Sequence, residues 1–161
     1  MNTLILKRTR AVARSALLLW LPAILVLAMS ACTGQSGGDA DEAHIIRGKQ
    51  IYESRCAACH GAKLEGQPNW RQRLPSGKLP APPHDETGHT WHHPAPLLFN
   101  ITKHGIEPYA PPGYRSDMPA FRDLLSDDDI RAVLAYIKST WPEETRKLQA
   151  QVTRDAAARS K

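Results

Sequence analysis

The chain of 161 residues carries 21 Lys and Arg against 16 Asp and Glu, a formal charge of +5. That length suits one domain with extensions, and no segment repeats at a fixed period, which excludes a solenoid or array. Four of the bases (Lys7, Arg8, Arg10 and Arg14) fall at the front of the chain where no acid occurs, so the rest is close to neutral and holds no basic block, which argues against nucleic acid as a partner.

In chain order, the basic opening leads into the apolar run "ALLLWLPAILVLAMSA". Residues 1–31 therefore read as a signal peptide. The run is interrupted by Pro22 and is short for the roughly 20 apolar residues of a spanning helix. Its end, "LAMSAC", resembles a bacterial lipoprotein processing site, with Ser30 and Ala31 before the thiol of Cys32. Acylation of Cys32 is expected; ordinary cleavage nearby or an uncleaved anchor are the alternatives. Each puts the folded part outside the cytoplasm, on the periplasmic side of the cell envelope, held to the membrane by lipid in the first case. Residues 32–42, with "TGQSGGDADEA" after the cysteine, are too polar to bury apolar surface and read as a flexible tether spanning roughly 15 to 20 Å.

A domain is expected over 43–142. From Asp41 or Glu42 the pattern turns helical, with Ile45, Gly48, Tyr52 and Cys56 on one face. Residues 66–96 are rich in Pro and Gly, which leaves room for loops only. In "APLLFNITKHG", Leu97, Leu98 and Ile101 recur at helical spacing, and His104 and Gly105 form the stop. A second Pro-rich loop precedes "LSDDDIRAVLAYIKSTWP", the clearest helix: Ser126 and Asp129 form a capping box, Ile130, Val133, Leu134 and Ile137 an apolar stripe, and Pro142 the end. The polar tail 143–161 reads as a solvated helix or as disorder. No stretch alternates like a strand, so the fold class is all-α with long loops. That leaves few apolar residues for a core, a deficit that a large apolar cofactor would fill.

The first helix runs into "CAACH", residues 56–60. Three chemistries use such a cluster: a dithiol redox couple, a zinc site, or covalent haem. A thioredoxin-like dithiol belongs between a strand and a helix, and a structural zinc needs four ligands; the chain offers no strand and only Cys32 as a further cysteine. C-x-x-C-H is the haem c attachment signature, in which Cys56 and Cys59 form thioethers and His60 ligates the iron.

A sixth ligand is then wanted. Of the three methionines, Met1 and Met29 lie in the signal and Met118 sits in the loop "SDMPAF". A thioether on iron favours the reduced state. Met118 is the expected second axial ligand, against the plainer alternative of gap-filling packing.

With these residues in view, the stretch from Ala43 to Trp141 resembles a class I, monohaem c-type cytochrome: a helix into "CAACHG", a loop-rich middle, "MPAF" and a last helix. The resemblance implies a small cytochrome c fold with long Pro/Gly-rich loops around one covalent haem c, and a crossing of the first and last helices. That crossing would pair Gly48 and Tyr52 with Val133 and Tyr136. It also implies that a proline carbonyl, from Pro82 or Pro83, orients His60. The middle stretch is longer and richer in histidine than a minimal member.

His84, His89, His92 and His93 crowd around Trp91. They read either as a hydrated loop over the haem, with Trp91 packed on it and the imidazoles facing solvent, or as a copper or zinc site. His104 is a partner for a helix C-terminus. The expected function is one-electron transfer between donor and acceptor proteins of the cell envelope, with both axial positions filled and no catalysis by the chain itself. The alternatives are a haem-based redox subunit or sensor, in which Met118 gives way to a small ligand, and a copper-handling module built on the histidines.

Overall fold

A computed structural model describes residues 36–160; the expected signal peptide and Cys32 lie outside the described residues. The chain divides after Ala40, and the fold that carries the motif is that of the second unit, Asp41–Lys161. Helices α1 (Ser36–Arg55), α2 (Ala57–His60), α3 (Ala95–His104), α4 (Asp127–Ser139) and α5 (Glu143–Arg159) follow in order, with 3-10 turns at Thr90–His92 and Glu107–Tyr109 and no strand among the described residues. The all-α reading holds.

α1 begins at Ser36, so residues 36–42, expected as part of a flexible tether, are helical. Once the later turns of a helix are fixed by packing, each added residue needs only one more hydrogen bond, and Asp41 and Glu42 suit its N-terminal half.

α1 and α4 meet at Gly48. A Cβ there would strike the Ala132 carbonyl and come within 2.9 Å of the Tyr136 Cβ, so only a bare backbone lets the helices touch. One turn on, Tyr52 is fully buried and packs with Val133, Ile137 and Trp141. Its ring is tilted on that of Tyr136, with centroids 5.6 Å apart. The pairing implied by the resemblance is present. At the crossing's edge, Arg47 Nε donates to Asp129 Oδ1 at 2.6 Å. Asp129 also completes the expected capping box with Ser126, which starts α4.

Prolines aside, only eight apolar side chains are buried among the described residues, Leu64 and Phe121 among them. That is thin for a domain of this size.

The long loop after α2 is ordered by backbone pairing: Gly66 N donates to His60 O at 2.7 Å, Gln67 N to Ala81 O at 2.9 Å and His84 N to Leu64 O at 2.8 Å. Gly66, at φ 68°, has the peptide between Pro82 and Pro83 packed against it where a Cβ would stand. This close approach brings the proline pair up to the end of α2.

α5 bears out the helical alternative for the tail, with one face packed rather than solvated. Glu143 and Glu144 in its first turn suit a helix start, and Gln149 at its middle is 3% exposed. Gln149 Nε2 donates to His93 O at 3.3 Å, and Ala95 N donates to Thr153 Oγ1 at 3.1 Å. The tail thus clamps the entry to α3, using polar contacts that hydrophobic periodicity does not reveal.

Candidate functional site

α1 delivers the motif. Cys56 N donates to Tyr52 O at 2.8 Å, and one further turn follows, with His60 N donating to Cys56 O at 2.9 Å. Cys59 and His60, three and four residues after Cys56, therefore lie beside it on one side of the turn. Cys56 is half-buried and Cys59 exposed, and the two sulfurs are not bridged. Burial, with Cys59 adding to it, pushes the free Cys56 thiol up to about 11. A redox dithiol depends on the opposite shift, toward a ready thiolate.

His60 closes the turn and is 8% exposed. Its Nδ1 lies 2.8 Å from Pro82 O. A carbonyl can only accept, so the proton sits on Nδ1 and Nε2 keeps its lone pair for a metal. Burial lowers the pKa of the ring against the opposing pull of the Pro82 bond, which keeps the imidazole neutral, as ligation requires. Pro82, not Pro83, is the orienting residue. Behind it, Tyr52 Oη donates to Gly61 O at 2.9 Å and ties α1 to the residue after the motif. Sequence reasoning placed Tyr52 in the helix contact and missed this hydroxyl; a buried tyrosine's need for a hydrogen-bond partner is the signal that could have found it.

Met118 is half-buried on the loop between the Glu107–Tyr109 turn and α4. Its N donates to Ser116 Oγ at 3.1 Å, and Ser116 N in turn donates to Glu107 Oε1 at 3.0 Å. After it, Phe121 N and Arg122 N donate to Thr102 O and Lys103 O at the end of α3, at 3.1 and 3.0 Å. Asp117 pairs with Lys78 of the long loop.

The four histidines do not act as one group. His89 stacks on Trp70 with centroids 5.2 Å apart and meets His93 edge-on, and His92 stacks on Trp91. Trp91 packs against the core cluster and donates from Nε1 to Glu86 O at 3.2 Å. His84 departs from the solvent-facing reading: its ring lies 3.9 Å from that of His60 and 6.0 Å from that of Tyr52. Among the described residues, no three His, Cys, Asp or Glu side chains converge as a metal site. A groove of about 410 Å³ runs between α3, α4 and α5, lined by Leu98, Phe99, Leu134 and Trp141; the motif residues take no part in it.

The residues present fit a covalently held haem. Two unbridged thiols and one neutral imidazole with a free Nε2 share a single turn, the core is thin beside them, and His84 Nδ1 is buried there without a hydrogen-bond partner. Cys56 and Cys59 would carry the thioethers, and His60 would hold the iron.

Residues 45–141 match the family model described as cytochrome c. Over 45 residues the chain is 36% identical to a cytochrome c-555 of Prosthecochloris aestuarii, a match that takes in 24% of this chain and 46% of that protein. The chain thus spans about half the length of this curated relative. No solved structure gives a significant match.

Proposed function

The chain belongs to the cytochrome c family, and from that premise we propose that it is a one-electron carrier with His60 and Met118 as axial ligands of one haem c. The observation that carries the reading is the 2.8 Å bond from His60 Nδ1 to Pro82 O, because it presents Nε2, on the same turn as Cys56 and Cys59, in the tautomer a metal needs. When bound, the haem supplies one-electron exchange between ferrous and ferric iron. The chain contributes attachment through two thiols, a fixed imidazole on one side, and a thioether on the other from Met118, the sole methionine of the expected mature chain. With both axial positions held by its own side chains, it leaves no place for a substrate at the metal. The partners are then donor and acceptor proteins that approach its surface.

The test is optical. Reduced protein should be low-spin and unchanged by carbon monoxide. Met118→Ala should keep covalent haem, because Cys56 and Cys59 attach it independently, and should bind carbon monoxide. Carbon monoxide binding by the wild type would favour the sensor reading instead.

Export and acylation at Cys32 complete the proposal, supported by the basic start, the apolar run and the small residues before that thiol. The carrier would then work at the periplasmic side of the envelope, tethered by lipid. Cys32→Ser should release a haem protein of normal haem content into the soluble fraction or leave it unprocessed. Unchanged mass and membrane association would refute acylation.

A further inference from the structure

Beside His60 in space, though 24 residues further on in sequence, the wall around the ligand contains a side chain that packing alone does not account for. His84 is fixed at both ends of its peptide: its N donates to Leu64 O at 2.8 Å, and its carbonyl accepts from Trp141 Nε1 at 2.7 Å. The ring is thereby held over that of His60, with centroids 3.9 Å apart and planes 31° from parallel. The neighbours on this side are Tyr52, and behind it Val133 and Trp141, all buried and apolar in contact. Some of the residue's surface reaches solvent, but Nδ1 is shut away with no hydrogen-bond partner among the described residues. A buried polar nitrogen left unpaired costs roughly 1 to 3 kcal/mol. An aliphatic side chain would fill the same space without that cost, so stability does not explain the imidazole.

We propose that His84 is a positioning residue for the haem ligand: its imidazole lies as a polar flank against His60 and holds the midpoint potential below the value that an aliphatic side chain would give. The inference rests on the reading that His60 ligates a covalent haem. Any iron bound to Nε2 of His60 has His84 within the low-dielectric shell that tunes its potential. In that shell a polar, polarisable ring raises the local dielectric above that of a hydrocarbon, which favours the more highly charged ferric state, and electrostatic effects are larger there than in water. The stacked ring also limits rotation of His60 about its own bonds, which adds to the restraint from Pro82.

The experiment compares the full haem-loaded chain with His84→Leu, His84→Met and His84→Gln. Covalent haem is measured by haem staining on denaturing gels and by the pyridine haemochrome spectrum, and the midpoint potential by optical titration against reference couples. Both apolar variants should shift the equilibrium toward the ferrous state about tenfold, a rise of about 59 mV for one electron. Gln, which keeps a polar planar end, should recover most of the difference. If Leu does not accumulate as folded protein, Met and Gln carry the comparison. An unmoved potential in the apolar variants, or a shift with Gln as large as with Leu, overturns the proposal. A wild type without covalent haem overturns the reading beneath it, and the staining arm shows this before any potential is measured.

Discussion

The two stretches that carry the candidate ligands are built differently. Around His60, Nδ1 donates its proton to Pro82 O, Tyr52 Oη reaches Gly61 O, Gly48 lets α1 lie on α4, and the neighbouring residues are buried. Around Met118, the loop is irregular and its anchors are of another kind: a serine hydroxyl, a glutamate carboxylate, two backbone bonds to the end of α3 and an exposed ion pair. Exposed pairs of that type contribute little in water. One side is therefore a seat that the packed helices determine, and the other is a strap held by polar and backbone bonds of its own loop. Such a division suits covalent attachment, since the thiols and His60 can receive a haem before the sixth position is settled.

The largest expected effect tests the strap. Met118→His should stay six-coordinate and lower the midpoint potential by an appreciable part of the roughly 0.8 V that axial ligation spans, because imidazole favours ferric iron more than a thioether does. Oxidised wild type should show the weak near-infrared band of sulfur on ferric haem; no band and an unmoved potential would mean another side chain closes the site. Next comes the seat. Gly48→Ala drives a methyl into the backbone of α4, and a loss of about 3 kcal/mol in folding stability is expected by denaturant titration. A change within half a kcal/mol would show that the helices do not depend on their close approach.

Two smaller effects sharpen the contrast. Gln149→Ala leaves His93 O without its donor from α5 and should lower stability by about 1 to 2 kcal/mol, with the haem spectrum unchanged. A spectral change would place α5 within the strap rather than behind it. Tyr52→Phe removes the hydroxyl that reaches Gly61 O at 2.9 Å and His60 O at 3.3 Å while keeping the ring, and about 1 kcal/mol is expected. If Tyr52→Phe costs nothing, the hydroxyl is not part of the seat.

How much of this was legible in the sequence differs from residue to residue. The capping box at Ser126 and Asp129 and the end of α3 at Gly105 could be read because each depends on a local pattern, whereas the Gly48 crossing was implied by the family resemblance. The start of α1 was placed too late, since residues 36–42 are polar and Gly-rich and lack apolar periodicity. The four-histidine cluster was read as one group because the four are near in sequence, yet tertiary contacts send His84 inward to His60, stack His89 and His92 on tryptophans and leave His93 edge-on to His89.

By itself the sequence determined the all-α class and the C-x-x-C-H turn with its attachment chemistry, because helix periodicity and the spacing of thiols on one turn are properties of the chain before it folds. Only the tertiary structure decided which proline holds His60, where His84 points and that α5 packs as a clamp. Those outcomes depend on Gly66 admitting the Pro82–Pro83 peptide, on Trp141 Nε1 reaching His84 O, and on Gln149 finding His93 O. Each joins residues far apart in the chain through a single backbone group, and a backbone carbonyl is the same at every position, so no residue type announces the partner it will find.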